Sequence, residues 1–113
     1  MMRWPSMNLT ADQVLALAPD PGAASAARKL GVPRPWSDLG RSDRAIWGKC
    51  QGSAVYTVQV DLADMATQCS CPSRKFPCKH ALGLLLLAAT SGSSFAALPH
   101  PEWVSEWLVA ARR

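Results

Sequence analysis

CSCPSRKFPCKHALGLLLLAA, Cys69 to Ala89, is the stretch on which the reading of this chain turns. Its second half, Ala81 to Ala89, is an uncharged apolar run. A membrane-spanning helix needs roughly 20 such residues, so this run is too short to cross a bilayer. It reads instead as a helix that is apolar nearly all round and therefore central and buried. Gly83 interrupts it at a cost of about 1 kcal/mol relative to Ala. A close backbone approach at that point would explain its presence. The first half spaces its polar groups as Cys-x-Cys, six residues, then Cys-x-His.

Upstream the hydrophobic period changes to two. Tyr56, Val58, Val60 and Leu62 alternate with Thr57, Gln59 and Asp61, the signature of a half-buried strand. Ile46 to Gln51 reads as its partner, Gln51-Gly52-Ser53 as the hairpin turn, and a third strand runs into Cys69. Three short strands cannot bury much alone and need a helix on one face. The expected fold is thus α+β: a small domain with a three-stranded antiparallel sheet, about Ala45 to Ser70, packed on the Ala81–Ala89 helix.

Further helices flank this unit. Thr10 is an N-cap with Gln13 as capping-box partner, Val14, Leu15, Leu17 and Ala18 form an apolar face, and Pro19 ends the segment. A second helix follows Asp20, with Pro21 in its first turn and Gly31 past its end. Val32 to Gly40 carries Pro33, Pro35 and Gly40 and reads as a loop, with Trp36 and Leu39 as anchors onto the core. Thr90 to Ser94 is a Ser/Gly linker. Pro101 and Glu102 start a last helix with a stripe of Trp103, Val104, Trp107, Leu108 and Ala111. The organisation expected is a helical region and loop over 1–40, the cysteine-bearing unit over 41–90, and a linker with an amphipathic helix over 91–113.

Composition narrows the class. The chain has 113 residues, 49% hydrophobic and 18% charged, with a formal net charge of +4. That suits one folded domain and argues against wholesale disorder. The opening MMRWPSMNLT has no apolar stretch of signal-peptide length, which predicts a cytoplasmic protein with no membrane partner. In a reducing compartment four cysteines point to metal or thiol chemistry rather than disulfides.

Three thiolates and an imidazole, Cys69, Cys71, Cys78 and His80, make a complete tetrahedral set for one structural zinc ion. In a strand, residues i and i+2 point the same way, so Cys69 and Cys71 can face one ion. Pro72 and Pro77 stiffen the loop, and His80 falls in the first turn of the apolar helix, whose positive end then faces the ligands. Three thiolates with one Zn²⁺ leave the site at −1, and Arg74, Lys75 and Lys79 can offset it. A Cys69–Cys71 disulfide would be strained at that spacing. Cys78 and His80 as nucleophile and base lack a third orienting group. Iron–sulfur and redox readings stay open beside zinc.

The string from Cys69 into the apolar helix resembles the SWIM zinc finger, whose pattern is C-x-C-x(n)-C-x-H. WGKCQGSAVYTVQVDLADMATQCSCPSRKFPCKHALGLLLL, Trp47 to Leu87, is similar to the stand-alone bacterial SWIM-finger proteins in particular, as are TADQVLALAPD and PEWVSEWL. The resemblance implies zinc on the same four residues and a β-hairpin and helix around the site. Many of those relatives continue past the final helix, whereas this chain stops at Arg113.

Two functions of different kinds follow. The resemblance proposes a nucleic-acid-binding, DNA-first module, with Arg74, Lys75 and Lys79 as contacts. A pI near 9.2 is compatible with it. The alternative is a protein-interaction adaptor, for which the resemblance suggests MoxR-type ATPases and von Willebrand A-domain proteins as partners. Paired carboxylates, a phosphate loop and a nucleophile elbow are missing from the sequence, so neither an enzyme nor a small-molecule substrate is expected. Cys50 reads as a small buried strand residue rather than a fifth ligand. His100, between Pro99 and Pro101, reads as a residue leading into the last helix rather than a ligand. Trp47, Trp103 and Trp107 fit core faces. Trp4 and Trp36 fall in irregular segments and are the only tryptophans left for base stacking.

Overall fold

A computed structural model describes residues 10–72 and 77–111. The decisive element is α3, Lys79–Thr90. Every residue from His80 to Ala88 is buried, so the apolar run is wrapped on all sides rather than laid on one surface. The wrapping comes from two sources. One is a sheet; the other is a pair of N-terminal helices, α1 (Ala11–Leu15) and α2 (Pro21–Leu30).

The local signals for these helices hold. Thr10 Oγ1 accepts the Gln13 N–H at 3.1 Å, and the Gln13 side chain accepts the Thr10 N–H at 2.9 Å, a complete capping box. Asp20 caps α2 by accepting the Ala23 N–H at 2.7 Å, and Gly31 follows its last residue. α1 stops at Leu15, four residues before Pro19, so Val14 is buried while Leu17 is left exposed.

The sheet is larger than the three strands expected. It has five, in the order β4-β3-β2-β1-β5: β1 Trp36–Arg41, β2 Ala45–Gln51, β3 Val55–Asp61, β4 Ala66–Cys69 and β5 Ala96–Ala97. β1 to β4 pair antiparallel in chain order, and β5 adds a short parallel pair to β1. The correction concerns Val32 to Gly40, read as a loop. Its second half is strand β1. A register shift between Ser37 and Gly40, with Asp38 at φ 53°, breaks the alternation that would have marked it. Pro33 and Pro35 lie just before the strand, where a missing N–H costs no ladder bond. Trp36 is buried and its Nε1–H donates to the Leu30 carbonyl at 2.7 Å, tying α2 to the sheet.

The two faces of the sheet carry different cores. Ile46, Cys50, Val58 and Val60 point to the α3 side and join α1, α2 and α3 in the larger cluster. Ala45 and Trp47 point to the other side, where α4 (Glu102–Ala111) adds Val104 and Leu108, with Trp103 and Trp107 half-buried at its margin. Trp47 lies directly over Gly40: a Cβ there would sit 2.5 Å from the indole. On this same face the fully buried Asp61 accepts Arg44 Nε at 2.9 Å and Nη2 at 3.0 Å, with the Ala63 N–H at 3.0 Å. This bidentate pairing lets a carboxylate stay in the core and closes the base of β2 and β3. His100 bonds Ser42 through Nε2 at 2.7 Å and sets its ring edge-on to Trp47, which fixes the approach to α4.

Gly83 has the close approach that its position required. A Cβ on Gly83 would lie 2.7 Å from Leu30 Cβ and 3.3 Å from the Leu30 carbonyl carbon, both on the rigid part of α2. Gly22, near the start of α2, is less crowded: the nearest atom to its Cβ would be Asp20 Oδ1 at 3.3 Å, the oxygen that accepts the Ala23 N–H. Helix propensity favours Ala at both positions by about 1 kcal/mol. Overpacking at Gly83 costs about 1–3 kcal/mol and should win there. Urea unfolding should therefore show Gly83→Ala destabilised by up to about 2 kcal/mol. Gly22→Ala should be the milder change, because its propensity gain of about 1 kcal/mol is set only against a small shift of the Asp20 cap oxygen.

Candidate metal centre

The four ligand candidates reach one point from two directions. Cys69 ends β4, where it pairs with Val58. Val58 faces the α3 side, so Cys69 does too. Ser70 then continues the ladder twice over. Its N–H donates to the Thr57 carbonyl at 3.0 Å, and its Oγ accepts the Thr57 N–H at 3.0 Å. That pinning keeps the i, i+2 relation, so Cys71 returns to the same face. From the other direction, Cys78 is the N-cap of α3 and His80 its second residue.

The donor atoms of Cys69, Cys71, Cys78 and His80 all lie within 4.8 Å of one another. Cys69 Sγ and His80 Nδ1 are 3.6 Å apart. Zinc bonds of about 2.3 Å to sulfur and 2.0–2.1 Å to nitrogen put that edge of a tetrahedron at roughly 3.6 Å. The donor set therefore fits one zinc ion in number and softness, and the Cys69–His80 edge fits it in size.

The local field prepares the sulfurs for a cation. Cys78 Sγ accepts the Ala81 N–H at 3.5 Å at the positive end of a twelve-residue helix. The thiol of Cys69 hydrogen-bonds to Cys78, and that bond, more than the opposing effect of burial, brings the Cys78 pKa down to about 4. Cys69 is pushed up by the same shared bond and then by burial. One thiolate thus stands ready at Cys78.

His80 is buried and rests against Tyr56, ring centroids 4.9 Å apart, and the Tyr56 hydroxyl bonds Ser53 at 2.9 Å. This orienting contact was not legible in the sequence. Tyr56 looked like one more apolar strand residue, and only the register places it where a ladder extended past Cys69 meets Cys71. Cys50 lies outside the set. It is fully buried in β2, and burial raises its pKa. His100 is likewise elsewhere, bonded to Ser42. Among the proposed anion contacts, Lys79 is exposed in the first turn of α3, while Arg74 and Lys75 lie outside the described residues, as does Trp4. Trp36 is buried and bonded, so it is not available for base stacking.

Two measurements follow. Elemental analysis should find about one zinc per chain in wild type and in Cys50→Ala, and a sharp loss in Cys78→Ser. Because Cys78 is already ionised, zinc binding to the metal-free protein should release fewer than three protons. Calorimetry in two buffers of different ionisation enthalpy reads the count, and a full three would contradict the preformed thiolate.

Comparison with known proteins supplies one match. No curated protein and no solved structure matches the chain. Residues 56–89 match the family model of the SWIM zinc finger. The match opens at Tyr56, the residue against His80, crosses the four-residue cluster and runs almost to the end of α3, so residues 56–89 match the SWIM zinc finger over a residue set compatible with one zinc ion.

Proposed function

We propose that the chain is a non-enzymatic, cytoplasmic module that binds nucleic acid, DNA first, through a surface fixed by one structural zinc on Cys69, Cys71, Cys78 and His80. Bound there, zinc would supply a crosslink between β4 and the start of α3 and a net charge of −1 shared with three thiolates. The observation that carries the reading is Lys79. It is exposed at the positive end of α3, next to a ligand, where the helix dipole disfavours a cation. It can offset the −1 of the metal site and, being exposed, also meet an external anion. Arg74 and Lys75, in the same loop sequence, extend that charge. The adaptor alternative, with a MoxR-type ATPase and a von Willebrand A-domain protein, would find its surface on the apolar stripe of the last helix if that stripe were free. Val104 and Leu108 of that stripe are buried against Trp47 and Ala45, which leaves less of it for a partner.

Titration of an oligonucleotide at several salt concentrations tests the proposal. Each phosphate contact contributes about 0.9 to the salt slope on a duplex and about 0.7 on a single strand. Changing Arg74, Lys75 and Lys79 together to Ala should lower the slope by at most roughly 2.7 on a duplex or 2.1 on a single strand, with zinc content unchanged. A zinc-loaded wild type that binds neither at low salt excludes the nucleic-acid reading. A triple variant that keeps a protein partner, lost instead by changes on α4, would establish the adaptor.

A further inference from the structure

The zinc cluster has a furrow on its outer side. One open cleft of about 460 Å³ lies between α2, the β2–β3 turn and the first turn of α3. A second, of about 330 Å³, lies between that turn and the Cys71–Pro72 segment. Both are bounded by Gly52, Lys79 and His80, so the two lobes meet at the head of α3. Lys29 of α2 lines the first lobe and Tyr56 the second. Among the described residues no carboxylate lines either lobe, although the chain has eight Asp and Glu. Both volumes fall in the range of small-ligand pockets, about 300–1,000 Å³.

We propose that this two-lobed furrow is the seat of a single nucleic-acid strand, with Lys29 and Lys79 on its phosphates and the lobes receiving its bases. The proposal rests on the nucleic-acid reading above and specifies its form. Lysines serve phosphates as point charges, and a concave lobe with largely apolar walls suits an unstacked base. A duplex keeps its bases stacked inside and offers none of them to a cleft. An acidic peptide would satisfy the lysines but would leave the apolar walls unused. Lys29 is the diagnostic residue. It lies in α2, outside the matched segment 56–89, and no motif marked it.

The experiment uses the full zinc-loaded chain, fluorescein-labelled dT12, a matched twelve-base-pair duplex and a Glu-rich competitor peptide, read by anisotropy at several salt concentrations. Wild type should prefer dT12 to the duplex. Lys29→Ala should weaken dT12 binding and lower its salt slope by about 0.7, with zinc content and circular dichroism unchanged. Lys49→Ala removes the same charge from β2 on the opposite sheet face, where Lys49 meets Asp38 at 3.3 Å, and should leave the slope intact. If dT12 binds and Lys29→Ala matches wild type, or if the duplex is preferred, the furrow is not the seat although the nucleic-acid reading survives. If the Glu-rich peptide displaces dT12 at a lower concentration than unlabelled dT12 does, the furrow is a peptide site. If neither nucleic acid binds, both readings fall together.

Discussion

A helix with nine consecutive buried residues cannot be satisfied by one sheet face. His80 to Ala88 turn through two and a half helical turns, so every side of α3 needs a cover. The sheet supplies one side through Ile46, Val58 and Val60. The remainder must come from elements with little apolar surface of their own. That is the role of α2, whose Ala23 and Ala27 are small enough to let its backbone come close. Gly83 against Leu30 and Gly31 against Leu86 mark the same approach from both partners. Alanine-rich α2 therefore buries little per residue and still seals the core, because what it offers is proximity rather than bulk.

This constraint sets what was legible in the sequence. The long apolar run, the Tyr56–Leu62 alternation and the capping residues Thr10 and Asp20 are local signals, and each led to the element observed. The convergence of Cys69, Cys71, Cys78 and His80 was legible for the same reason: their spacing is local on each side, and only one loop separates the pairs. β1 was not legible. Its bulge at Asp38 destroys the period of two, and its prolines mimic a loop. β5 is two residues long and exists only because β1 is there to pair with it. The contact between Tyr56 and His80 depends on sheet register, which no single-segment pattern encodes.

Electrostatics at the head of α3 follow from its position as the place where strand and helix meet. Thiolates are costly to bury unless compensated. Here the compensation comes first from the Cys69 thiol, which hydrogen-bonds to Cys78, and then from the helix through the Ala81 N–H on the same sulfur. A metal ion entering this site would displace that proton and tighten an arrangement already near the required spacing, as the 3.6 Å between Cys69 Sγ and His80 Nδ1 shows. The cluster is thus assembled by packing and completed by coordination. In a small domain this division matters, because the core alone supplies limited stability.

The position of α3 also couples the ligand cluster to surfaces it does not touch. The helix carries Cys78 and His80 at one end and is locked to α2 at Gly83, less than one turn further along. Any shift of its first turn must therefore be absorbed against Leu30 or against the Gly52 turn, which bound the furrow where Lys29 and Lys79 face. Lys29 shares the first lobe with Lys79 and His80, and α2 is also held to α3 through this lock. A crosslink between Cys69 and His80 would hold β4 to α3, α3 would hold α2, and the width of the furrow would be set by that chain of contacts. The fold thereby places Lys29, fifty-one residues upstream of His80, on the same furrow as the head of the four-residue cluster.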